Sequence, residues 1–217
     1  MLLLVAAVGR SQTLDRVVAA VGNVAITASD VENEYRLETF LEGKTPGQSD
    51  SGAATLNEVR QRMIDHILLE EEGRNDGIKV LPDDPAVAAR WSELQKKFPS
   101  PEAFGSALKE LAMSEGALRQ VMAGQEEILR LIDQRLRPQV IVDPSAIEAY
   151  YRGTLLPSLA REGNQQPPPP GEVEGRIREI LVQQKIDSLL EDWLKRLRTR
   201  GDVRVFGSAE VSGAPSP

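Results

Sequence analysis

The chain of 217 residues contains no cysteine and a single histidine, His66. Missing thiols exclude disulfides, cysteine nucleophiles and cysteine-ligated metal, and a lone imidazole excludes multi-histidine centres and any triad needing a second histidine. Aromatics are also scarce, with two Trp, three Tyr and four Phe, too few for the stacking platforms that hold single-stranded nucleic acid. An excess of 33 acidic over 26 basic residues gives a net charge of −7, which again disfavours nucleic acid. The one leading apolar run, Leu2 to Val8, is too short to span a bilayer. No stable membrane insertion, cofactor or metal is expected.

What remains has ordinary globular composition, 41% hydrophobic and 27% charged, sufficient for one domain with a real core. Leu2 to Val8, followed by Gly9, Ser11 and Gln12, resembles the apolar region and cleavage zone of a secretory signal, although the usual basic start is missing. Residues 1–13 are therefore read as a truncated signal or disordered start, with a short strand of a cytosolic protein as the alternative.

From residue 14 onward the punctuation is regular. Arg16 to Val21 is β-branched and apolar, Gly22-Asn23 interrupts it, and Val24 to Thr27 resumes, which predicts a hairpin with a two-residue turn. Ser29 with Glu32 has capping-box spacing and opens a helix to about Glu42, before Gly43. Residues 43–53 read as a loop. Thr55 with Glu58 repeats the box, and Leu56, Val59, Met63 and Ile67 form the stripe of a helix that Gly77 stops. Asp84-Pro85 and Ser100-Pro101 open two further helices, carrying Val87, Trp91, Leu94 and Phe98, then Phe104, Leu108 and Leu111. Ser114 caps a longer one whose stripe is Leu118, Val121, Met122, Ile128, Leu129, Ile132 and Leu136, ended by Pro138.

Gln139 to Val142 reads as short and extended, and Asp143-Pro144 starts a helix through Tyr150 and Tyr151. Residues 163–171, with four consecutive prolines, predict a solvated connector. A final helix over 172–200 precedes a strand at Val203 to Phe206, and residues 207–217 read as a disordered tail. A lone hairpin is marginal in water, so the terminal strand is expected to pair with it. The predicted fold is mostly α: a multi-helix domain over 14–206 with a small antiparallel sheet formed by the N-terminal hairpin and the C-terminal strand.

These residues carry a resemblance. The opening Arg16-Val17-Val18-Ala19-Ala20-Val21-Gly22-Asn23-Val24-Ala25-Ile26-Thr27 with its following helix, the helix ending Ile147-Glu148-Ala149-Tyr150-Tyr151, and the closing Arg176 to Ile186, Trp193-Leu194 and Asp202-Val203-Arg204-Val205 together resemble the SurA-type periplasmic chaperones over residues 14–206. The resemblance rests on the order and spacing of several moderate motifs. It implies an ATP-independent holdase that keeps unfolded exported or outer-membrane polypeptides soluble in the periplasm. Many members insert a parvulin-type prolyl isomerase domain between the Tyr-Tyr helix and the last helix; here that interval is the 20 residues from Arg152 to Gly171, too short for one. Enzymatic activity is accordingly not expected.

A chaperone surface requires apolar side chains that accept many partners. The candidates are Trp91, Phe98, Phe104, Met113, Met122, Tyr150 and Tyr151, in a cleft expected between the helices of 85–112 and that of 172–200. Several lie on apolar stripes, for which core packing is the default reading. His66 has Glu70 four residues on, but one such pair is not a metal site. The alternative is a structural or assembly protein with one dedicated partner, present as a monomer or as a dimer that swaps its terminal segments.

Overall fold

The computed structural model describes residues 15–45, 52–161 and 167–207. The expected signal segment, residues 46–51 of the expected loop, residues 163–166 of the connector and the tail beyond Gly207 lie outside the described residues.

Strand β1 (Val17–Val21) and strand β2 (Val24–Thr27) form the predicted hairpin around Gly22-Asn23. Gly22 has φ +55°, a conformation that costs a side-chain-bearing residue roughly 1 kcal/mol or more. Helix α1 (Ala28–Leu41) follows without a loop. Its cap is Thr27, whose hydroxyl accepts from the Asp30 amide at 3.2 Å while the Asp30 carboxylate accepts from the Thr27 amide at 2.9 Å. This replaces the Ser29–Glu32 box, because the helix begins two residues earlier and Thr27 leaves the strand in an extended conformation suited to capping.

Helix α2 (Ala53–Asn75) also starts ahead of its expected cap: Gly52 occupies the N-cap with no side-chain bond, so Thr55 and Glu58 lie inside the helix. Helices α3 (Pro85–Lys96), α4 (Pro101–Glu110) and α5 (Glu115–Leu136) begin where their caps predicted, with the Asp84, Ser100 and Ser114 side chains each accepting a backbone N–H. A 3₁₀ turn at Arg137–Gln139 takes part of the segment read as extended. Helix α6 (Pro144–Tyr150) continues through a π turn at Tyr151–Leu155 into α7 (Leu156–Arg161), beyond the helix end expected at Tyr151.

Helix α8 starts at Pro170, inside that connector, and runs 31 residues to Arg200, about 46 Å at 1.5 Å per residue. Strand β3 (Val203–Val205) then pairs antiparallel with β1, giving the sheet order β2-β1-β3. A mostly α fold closed by a small sheet from both ends of the described chain is thus observed.

Buried side chains form two clusters. The first joins the sheet to α2, the C-terminal half of α5 and the C-terminal half of α8 through Val18, Ile26, Ile64, Leu131, Trp193 and Leu197. The second joins α3 and α4 to the C-terminal part of α1 and the N-terminal half of α5 through Phe40, Trp91, Leu94, Phe104, Leu118 and Met122. Helices α1 and α5 contribute to both clusters, Val31 and Leu131 to one, Phe40 and Leu118 to the other. They splice the two cores together.

Candidate functional site

The seam between the cores opens as a groove bounded by α1, α2 and α5. Two adjoining hollows of about 470 and 370 Å³ share Glu34, Met63 and His66 in their walls. Leu37 on the wall belongs to the second core and Leu69 to the first, so the groove follows the junction of the two clusters. Ile67, Val121 and Ile128 extend its apolar lining, and Leu129, 53% exposed, stands on its edge. Met63 lies at the meeting point of the hollows, an unbranched and polarizable side chain suited to occupants of varied shape.

Charges of both signs surround this lining. Arg62 of α2 donates to both carboxylate oxygens of Glu38 on α1, at 2.8 and 2.6 Å, a paired geometry that fixes both guanidinium and carboxylate. Glu127 accepts from the Val80 amide at 2.8 Å, tying α5 to the segment before α3. Burial holds the Glu34 carboxyl above the usual carboxylate value of 4.5; its neighbour Glu38 adds to this and Arg62 partly offsets it.

Two polar atoms in this region lack partners among the described residues. The Nη1 of Arg90 and the Nε2 of His66 are buried without a hydrogen bond, although the second nitrogen of the Arg90 guanidinium donates to Gln125 at 2.8 Å. His66 Nε2 is 3.5 Å from Glu70 Oε1 but without hydrogen-bonding alignment. Both residues line the smaller hollow, where an occupant bearing hydrogen-bonding atoms could satisfy them; buried orphans of this kind are costly and rare. Among the described residues no group of three His, Asp or Glu is placed to hold a metal ion. The chemistry available here is recognition of apolar side chains beside polar backbone.

The residues singled out by sequence go elsewhere. Trp91, Phe98, Phe104 and Met122 are between 2% and 9% exposed and build the second core. They present no client surface in this structure, because the aromatic rings satisfy one another: Phe104 packs against Trp91 and Phe98 edge-on at centroid distances of 5.3 and 5.4 Å. Met113 is half-buried against the same core. Tyr150 and Tyr151 are half-buried at the α6–α7 junction, where the Tyr151 hydroxyl donates to the Pro168 carbonyl at 2.8 Å.

The cleft expected between 85–112 and 172–200 is also placed differently. Helices α3 and α8 both pack on α5, and the hollow of about 600 Å³ beside α8 is walled by α5 residues such as Leu129 and Ile132 with Gln183 and Ile186 of α8. Leu129 was read as part of the α5 core stripe. Its neighbours Ile128 and Ile132 hold that stripe, and the one-residue offset that swings Leu129 outward is the signal that could have found it.

No family model matches the chain, and no curated protein matches it.

Proposed function

We propose that the chain is an ATP-independent holdase that keeps unfolded exported or outer-membrane polypeptides from aggregating in the periplasm, without prolyl isomerase activity. The observation that carries this reading is the α1–α2–α5 groove: an apolar lining along a seam between two cores, bounded by acidic and basic side chains. Such a surface takes apolar side chains from an extended segment with little demand on their identity, while the charged edge keeps the complex in solution. The unpartnered Arg90 and His66 nitrogens in one wall suit the backbone of that segment. The SurA-like order of motifs along 14–206 supports the same function and compartment.

Binding spread over adaptable contacts is weak to moderate, because no single client is preorganised for. The test is light scattering of an unfolded outer-membrane β-barrel diluted from denaturant, without nucleotide. Delayed aggregation at near-stoichiometric ratio, little changed by salt, is expected, since exposed charge pairs contribute little to such contacts. No protection at several-fold excess would overturn the reading.

A second reading draws on the way residues 170–207 attach as one piece, α8 on α2 and α5 and β3 on β1. Exchange of that piece between two copies makes a dimeric assembly protein with one dedicated partner. It predicts a stable dimer on size exclusion and no protection of unrelated clients.

A further inference from the structure

A further hollow, of about 520 Å³, lies between the C-terminal ends of α5 and α8 and shares no lining residue with the α1–α2–α5 groove. Leu189, Trp193, Arg196 and Arg200 reach it from α8 at positions i, i+4, i+7 and i+11, one stripe of a helix. Arg135 and Leu136 face them from α5. In a chain of net charge −7, this hollow has three arginines and, among the described residues, no carboxylate in its lining.

The three arginines differ in what they are committed to. Arg135 is bound to Glu72 and Asp76 and stacks over the Trp193 ring with 4.8 Å from guanidinium carbon to centroid. Among the described residues Arg200 reaches one carboxylate oxygen, that of Glu72, at 4.0 Å, with 67% of its side chain exposed. Arg196 has no ion pair or hydrogen bond among the described residues. The other charges of these turns point away: Lys195 pairs with Glu191 and Asp192, and Arg198 turns to Asp65 of α2 at 2.7 Å. The last turns of α8 therefore sort their charge, leaving two available guanidinium groups one turn apart at the mouth of an apolar hollow.

We propose that this α5–α8 trough binds acidic polypeptide segments, seating a carboxylate between Arg196 and Arg200 and an adjacent apolar side chain against Leu189 and the aliphatic stems of the two arginines. Guanidinium groups match a carboxylate through paired donors, and the half-buried Leu189 with the arginine stems gives the neighbouring side chain an apolar contact, Trp193 lying beneath at 5% exposure. Arg196, Thr199 and Arg200 are exposed along one side, so the trough is open in the way a passing chain needs; a small molecule is normally enclosed over most of its surface. A nucleic acid backbone fits poorly, because it carries a phosphate at every nucleotide and the trough offers two available guanidinium groups beside an apolar wall. The dipole of α8 opposes an anion at its C-terminus, so both arginines are required. The site is independent of the holdase reading, whose groove lies elsewhere.

The test is fluorescence anisotropy of the full chain with a labelled peptide of alternating Asp and Leu, beside the Asn–Leu peptide of the same length. The Asp–Leu peptide is expected to bind, and the Asn–Leu peptide at least tenfold more weakly. Arg196→Gln with Arg200→Gln should weaken the Asp–Leu complex at least tenfold with the thermal melt unchanged, since both side chains are exposed; each single variant should weaken it several-fold and carries the test if the double variant melts early. Equal binding of the two peptides, or an Asp–Leu complex indifferent to the arginines, would overturn the proposal. Displacement by dodecanoate or an oligodeoxynucleotide at lower concentration than unlabelled peptide would overturn the choice of a polypeptide as occupant.

Discussion

At Phe104 the type of side chain and its position point in opposite directions. A large aromatic is what a client surface uses, yet Phe104 is 3% exposed and held edge-on by Trp91 and Phe98. Its replacement should therefore act on stability. Phe104→Ala is expected to cost about 3–5 kcal/mol, the range for emptying a packed aromatic site, measured by denaturant unfolding. Client protection per folded molecule should stay unchanged well below the melt; a selective loss of protection with stability intact would return Phe104 to the binding surface. Glu34 gives the complementary case on the groove wall. Its raised pKa means the folded state holds the proton more tightly than the unfolded state, so stability rises as pH falls from the raised value toward 4.5. Asp84 has the opposite sign: the Arg130 guanidinium, bonded at 2.8 Å, and the Ala86 amide hold its carboxyl below 3.8, so its contribution is present above 3.8 and is lost as pH falls through the lowered value. Melting temperature should thus rise on mild acidification and then collapse. Glu34→Gln should abolish the rise and leave the acid collapse, which thermal melts across pH 3 to 8 will show; an unchanged rise would mean that Glu34 is not its source.

Among the elements, α8 with β3 carries the largest share of closure. Its Ile186, Trp193 and Leu197 are buried in the first core, and at roughly 1.5–3 kcal/mol each their loss is comparable with a total stability of about 5–15 kcal/mol. The Arg198 bonds to Asp65 and Gln61, both at 2.7 Å, and the β3 ladder on β1 go with them. A chain ending at residue 169 should lack a cooperative melt by circular dichroism; a cooperative transition at the same temperature would show α8 to be a separate arm. This return of α8 and β3 to the N-terminal hairpin was legible in the sequence, because a short strand cannot stand alone and only one hairpin was on offer. Helix starts at Asp84-Pro85, Ser100-Pro101 and Ser114 were legible for the same local reason, a cap chemistry with one good solution. The cap of α1 was misread because two candidates shared one spacing: Thr27-Asp30 and Ser29-Glu32 both fit a capping box, and the adjoining strand decided for the first; that of α2 was misread because Gly52 caps it with no side-chain bond to read. Helix α7 was hidden by Pro157 and by polar neighbours that masked Leu155, Leu156 and Leu159. The groove was the least legible part, since periodicity shows which side chains share a helix face but not whether a neighbouring helix covers it; Leu129 and Phe104 differ in just that respect.

For the whole molecule, the central claim is that the seam between two spliced cores is where a client is held. Its lining draws on both cores, through Leu37 and Leu69, so movement of α1 or α5 that adjusts one core against the other also adjusts the groove. Leu129 and Leu81 are nearly equal in exposure, 53% and 54%, but only Leu129 stands on the groove edge. The direct measurement replaces each in turn with a photo-crosslinking phenylalanine derivative and illuminates the chain with an unfolded outer-membrane β-barrel. Crosslinks from position 129 that exceed those from position 81 several-fold, and that fall when unlabelled client is added, are the outcome expected of a groove-bound client. Equal yields at the two positions would contradict it, because capture would then follow exposed apolar surface in general and owe nothing to the seam.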